Sequence, residues 1–98
     1  EWRDGGSNAK LRRRVRQVMT RARNVVEVLA RALVDQPSLI EVTETEDEDG
    51  SDIAVTTGPG DLGKLIGRQG RTATAVRTLA TVAAEVDGTR VAVDFIDE

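Results

Sequence analysis

Cysteine, histidine and tyrosine are absent from the 98-residue chain, and phenylalanine and tryptophan occur once each. Without cysteine there is neither a disulfide framework nor a thiolate metal site. Without histidine the commonest transition-metal ligand and the usual general base are both missing, which weighs against an enzyme. Two aromatic residues, Trp2 and Phe95, are too few for modules that stack bases on aromatic platforms, such as RRM domains and many OB folds. Long apolar runs are lacking too. Val25 to Val34 is interrupted by Glu27 and Arg31 and falls short of a membrane span. With no secretory pattern, the expectation is a soluble, cytoplasmic protein without catalysis, cofactor or metal.

What is present fits one small domain, with 39% hydrophobic residues for its core and 32% charged residues. The net charge of -3 hides an uneven distribution. Residues 1 to 34 carry nine bases against three acids, a net +6, whereas residues 35 to 98 carry five bases against fourteen acids, a net -9. Four of those five bases, Lys64, Arg68, Arg71 and Arg77, fall within fourteen residues whose one acidic near neighbour is Asp61. A basic footprint on one face matters more for phosphate binding than total charge, so an acidic pI does not exclude nucleic acid.

Periodicity gives the element order. Residues 1–9 read as a flexible arm or a trimmed end. From Leu11 the apolar positions Val15, Val18, Ala22, Val25, Leu29 and Ala32 follow steps of three and four, which predicts one helix to about Val34, stopped by Pro37. Its first part, residues 10–24, is a basic helical extension, and residues 25–98 form the domain. Ile40 and Val42, then Ile53 and Val55, alternate with polar residues around the acidic run Glu46 to Ser51, which predicts a β-hairpin. Asp61 is placed to cap a short helix over Leu62 to Ile66, ended by Gly67. A longer helix follows Gly70, with Ala73, Val76, Leu79, Ala80, Ala83 and Val86 on one face and Gly88 as its C-terminal cap. Val91, Val93 and Phe95 make the last strand. The predicted fold is α+β, in the order α-β-β-α-α-β.

The joint Leu65-Ile66-Gly67-Arg68-Gln69-Gly70-Arg71-Thr72-Ala73 carries the chemistry. Glycines let the backbone turn sharply and let a sugar-phosphate chain approach its amides, while the following helix start supplies free N–H groups and a positive dipole end. Arg68 and Arg71 add charge. A helix-turn-helix corner that needs two glycines for sterics alone is the alternative reading of the spacing. Asp61-Leu62-Gly63-Lys64-Leu65-Ile66-Gly67-Arg68-Gln69-Gly70-Arg71-Thr72-Ala73 resembles the signature of the KhpA family of bacterial KH-domain RNA-binding proteins. The likeness runs from about Val25 to Ile96 and includes Leu33-Val34-Asp35-Gln36-Pro37.

That resemblance implies a single type II KH domain, a three-stranded sheet covered on one face by three helices. It implies that Gly67, Arg68, Gln69 and Gly70 clamp a single-stranded RNA backbone while an apolar groove holds about four nucleotides. Lys64 and Arg71 are further phosphate contacts, and Val55, Leu62 and Ile66 are candidates for groove lining, plain core being the other reading of these three. Arg77 is read as solvated. The resemblance also implies a homodimer, or a heterodimer with a Jag-type KH protein, and a role as a post-transcriptional regulator or RNA chaperone, or in cell-envelope growth and cell shape. The rival reading is a protein interaction module with incidental RNA contact.

Two motifs point elsewhere and fail. Gly58-Pro59-Gly60-Asp61-Leu62-Gly63-Lys64-Leu65 follows a phosphate-binding P-loop until Leu65, where a magnesium-binding Ser or Thr is required. Aligning Gly50 with the sixth position of a calcium loop puts Thr45 first and Thr56 twelfth, where carboxylates are needed. The acidic run reads as a solvated turn that would restrict the path of an anionic ligand.

Overall fold

The computed structural model describes residues 16–17 and 20–97. A two-residue strand β1 (Arg16–Gln17) precedes helix α1 (Arg21–Leu33), followed by the hairpin strands β2 (Glu41–Asp47) and β3 (Gly50–Thr57). Helix α2 (Leu62–Ile66), helix α3 (Arg71–Val86) and strand β4 (Val91–Asp97) complete the order. The strands lie in sequence order, β2 and β3 antiparallel and β3 and β4 parallel. A parallel neighbour needs a crossover, and α2 with α3 supplies it. The α+β fold with three helices on one face of the sheet is as the sequence predicts, and β1 adds a short rung beside β2 at Thr45 and Glu46.

Alternation along the strands decides which face is covered. Val42 and Glu44, Ile53 and Val55, and Val93 are buried beneath the helices. Glu41, Thr43, Asp52, Ala92, Asp94 and Ile96 point the other way and are exposed. The helices meet the sheet mostly through alanine: Ala22 and Ala30 of α1, and Ala73, Ala80, Ala83 and Ala84 of α3. Small contact residues let the helix axes come close, and Val26, Leu65, Ile53 and Val55 fill the space between. Each such aliphatic side chain, fully buried, stabilises the fold by about 1.5–3 kcal/mol.

Helix α1 starts later than the sequence predicts. Arg16 and Gln17 are strand rather than helix, and Thr20 is an extended N-cap, so the helical extension over 10–24 is corrected to a helix from Arg21. The remainder of that extension, with Leu11, Val15 and Val18, lies outside the described residues, as does the arm 1–9. The cause of the break is Glu44, a carboxylate only 2% exposed on the inner face of β2. Thr20 donates to it from both its backbone N–H (3.3 Å) and its hydroxyl (2.6 Å), and accepts from the Arg23 N–H at 3.3 Å. A helix running through Thr20 would commit that N–H to the helical ladder and leave a buried carboxylate short of donors.

The buried stripes are also shifted. In α1 the core side is Ala22, Val26 and Ala30, with Val25 and Leu29 at its margin. In α3, Leu79 (48% exposed) and Val86 (67%) leave the predicted core face, and Ala84 enters it. Both helices hold more apolar positions than one face can bury. Three arginines fasten helices to backbone carbonyls of the sheet and the segment before it: Arg23 to Val42 of β2 (3.1 Å), Arg31 to Pro37 (2.6 Å) and Ile40 (3.4 Å) ahead of β2, and Arg77 to Val93 of β4 (3.2 Å).

Candidate nucleic-acid interface

Helix α2 is only five residues long, and Asp61 holds its start in place in a different way from the predicted cap. The carboxylate, 2% exposed, makes no bond to the helix it precedes. It accepts instead from the Gln36 backbone N–H at 3.0 Å and from the Gln36 side-chain amide at 3.3 Å, and the same amide donates to the Pro59 carbonyl at 3.0 Å. The turn after β3 is thereby tied to the segment after α1, and the acid nearest the basic cluster in sequence is turned inward. Gly58 is a packing residue in this arrangement, since a Cβ there would come within 2.6 Å of Leu39 Cδ1. That contact accounts for a glycine of the P-loop-like run without any nucleotide.

Between α2 and α3 the chain makes a left-handed corner. Gly67 ends α2 at φ 76°, donating to the Gly63 carbonyl at 2.8 Å. A Cβ on Gly67 would lie 2.6 Å from Thr72 Cβ, so the position excludes a side chain by contact as well as by dihedral. Gln69 (φ 59°) and Gly70 (φ 72°) are left-handed too, and Gly70 donates to the Gly67 carbonyl at 3.1 Å. For Gln69 this conformation costs about 1–2 kcal/mol, the kind of local strain that gathers at binding loops. Helix α3 then begins with no side-chain cap and no acid in its first turn. Its first N–H groups and the positive end of its dipole have no internal anion, which suits a phosphate.

The charges around this corner are free to act. Arg68 and Arg71 are exposed and make no ion pair or side-chain hydrogen bond among the described residues. Lys64 is 3.3 Å from Asp35, but both side chains are well exposed, and such a pair exchanges readily with another anion. A family model described as "KhpA/KhpB, KH domain" matches residues 23–95. The chain belongs to the KhpA/KhpB KH-domain family. It is similar to proteins named RNA-binding protein KhpA from Halalkalibacterium halodurans (43% identity, 76% of this chain and 99% of that protein), Leifsonia xyli (43%, 71% and 90%) and Mycobacterium bovis (43%, 76% and 89%). No solved structure gives a significant match.

Within this KH domain the structure brings Lys64, Gly67, Arg68, Gln69, Gly70 and Arg71 together at one end of the molecule, on α2, the corner and the start of α3. Leu62 and Ile66 are half-buried on α2 and accessible beside that corner. Val55 is corrected from groove lining to core. It is fully buried, between Val42 and Phe95 on the inner face of the sheet, where no ligand reaches it. Arg77 is more than a solvated charge: its Nε donates to the Val93 carbonyl and its guanidinium lies 5.2 Å from the Phe95 ring centre. The spacing of Arg77 from the loop was visible in the sequence, but the strand it reaches was not.

The acidic hairpin lies at the other end of α3. Its turn is closed by the Asp47 carboxylate, which accepts the Asp49 N–H at 2.8 Å, and the start of β3 is joined to the segment after α3 by Ser51 N–H to the Arg90 carbonyl at 2.9 Å. Sixteen residues of helix separate that end from the glycine corner, roughly 24 Å. Beyond about 10 Å an exposed charge is largely screened at physiological salt, so the hairpin leaves the field at the corner basic.

Proposed function

We propose that this chain binds single-stranded RNA without catalysis, with the sugar-phosphate backbone laid across Gly67 to Gly70. Arg68 and Arg71 supply the charge, Lys64 joins them on leaving Asp35, and the bases turn toward Leu62 and Ile66. The observation that carries this reading is the left-handed corner before an uncapped helix, flanked by two unpaired arginines, in a chain whose relatives are named as RNA-binding proteins. The open face of the sheet is a poor rival surface, because Glu41, Asp52 and Asp94 make it acidic. Regulation of transcripts or RNA chaperoning is the matching role. Ultraviolet crosslinking in cells, with recovery of the crosslinked peptides, tests the site. Crosslinks within residues 62–72 are expected, and RNA attached only elsewhere would remove the corner from the interface.

A second surface supports protein contact. Val28 (68% exposed), Leu79 (48%), Val82 (51%) and Val86 (67%) form an apolar stripe across α1 and α3, on the side away from the sheet. It suits a second copy of this chain or a larger KH-containing partner of the Jag type. Sedimentation equilibrium on the parent and on Leu79→Asp distinguishes them, since a self-associating parent that becomes monomeric in the variant supports the homodimer.

A further inference from the structure

Arg77 stands on the flank of α3 that meets β4, six residues beyond Arg71 and so about 9 Å further along the helix axis. That distance is within the span of the few nucleotides a KH groove holds. Its Nε is fixed by the Val93 carbonyl at 3.2 Å and its plane is backed by Phe95, the one phenylalanine of the chain. The two terminal nitrogens have no partner among the described residues, and the side chain is exposed. Asp94, the adjacent acid, points to the opposite face of the sheet by strand alternation. An anchored, planar guanidinium whose two terminal nitrogens are free is a rigid double donor.

We propose that Arg77 is a base-reading residue, selecting a nucleobase that offers two adjacent acceptors on one edge, at a position just beyond the phosphate held by the glycine corner. This rests on the RNA reading of that corner and gives it a specificity. Guanine fits through O6 and N7, and cytosine through O2 and N3. Adenine sets its amino donor beside N1 and N7 and offers N3 alone, and uracil sets its imino donor between its two carbonyls, so neither presents two adjacent acceptors. The ring of Phe95 acts by holding the guanidinium plane, which makes Phe95 a positioning residue.

The test uses labelled uridine octamers carrying a single central G, C or A, titrated against the full chain by fluorescence anisotropy. The parent is expected to bind the G and C octamers about tenfold more tightly than all-uridine or A, the size of a modest bidentate arginine contact. Arg77→Lys keeps the positive charge but not the planar fork. It should bind all-uridine RNA within about twofold of the parent and lose the preference for G and C. Phe95→Leu should weaken the preference in the same direction. Arg77→Gln, checked by thermal unfolding, removes the charge as well, and a folded variant should also lack the preference. A preference that survives Arg77→Lys, or a parent indifferent to the central base, overturns this assignment while leaving the phosphate clamp intact. A parent that binds none of the octamers overturns the RNA reading itself, and this assignment with it.

Discussion

Two sets of arginines in this molecule have opposite surroundings. On α1, Arg23 and Arg31 share the carboxylate of Glu27 and reach the carbonyls of Val42, Pro37 and Ile40. At the glycine corner, Arg68 and Arg71 have no partner among the described residues. The residue type is the same, and what separates the roles is whether a fixed acceptor lies within reach. On α1 the bonded arginines hold the helix to β2 and the segment before it, and the unbonded pair beside the left-handed turn is available to a ligand.

The sharpest way to break that contrast is to reverse the charge at the corner. Changing Arg68 and Gln69 together to Asp should lower RNA affinity by about a hundredfold or more, since a charged hydrogen bond is worth about 1.5–3 kcal/mol and repulsion is added to its loss. Thermal unfolding should move little, because Asp tolerates the left-handed dihedral of residue 69 and exposed turn changes usually cost about 0.5 kcal/mol or less. An unfolded double variant would show that the corner is structural.

Stability, not affinity, should respond on the other side of the comparison. Thr20→Val removes a hydroxyl donor from buried Glu44 together with the cap of α1, and should cost about 2–3 kcal/mol in urea unfolding with little change in RNA affinity. The two corner glycines should divide as well. Gly67→Ala, which meets Thr72 from a backbone (φ 76°, ψ 173°) essentially reserved for glycine, should destabilise by roughly 2 kcal/mol, whereas Gly70→Ala, in the ordinary left-handed region (φ 72°, ψ 14°) with open space around it, should cost about 1 kcal/mol. Equal losses would mean that Thr72 moves aside and the Gly67 backbone relaxes.

The smallest effect is one of pH. Hydrogen bonds from Arg31 and then Arg23 hold the Glu27 carboxyl below its ordinary value near 4.5. A depressed folded value gives stability that is present above that ordinary value and is lost as the pH falls through the depressed one. Acid titration of the unfolding midpoint should therefore show part of the loss below about pH 4.5 missing in Glu27→Gln. An identical acid profile would show that the Arg23 and Arg31 bonds contribute nothing through that carboxylate.

Much of this was legible in the chain. Pro37, Gly67 and Gly88 punctuate the helices where the sequence places their ends, and the hairpin follows from alternation around Val42 and Val55. The corner residues needed only their local spacing, because the turn is built from neighbours. What escaped depended on partners distant in sequence. Nothing local marks Glu44 as buried, so periodicity alone carries the helix through Thr20 instead of starting it after the residue that satisfies that carboxylate. Asp61 looked like a cap because its competing donor, Gln36, is twenty-five positions away. Val55 sits at a strand spacing that fits core and groove alike, and only the register that places it between Val42 and Phe95 decides.

The arginines that reach strand carbonyls also bear on how many copies can crowd together. An open sheet ends in rows of backbone acceptors and donors that invite a foreign strand to add on. Here Arg23 and Arg31 occupy carbonyls on and just before β2, in the stretch that β1 does not cover, and Arg77 occupies one on β4 at the far side. Bulky cations on both margins hinder strand addition. Copies of the domain held at high local concentration are then kept from fusing through their sheets into aggregates.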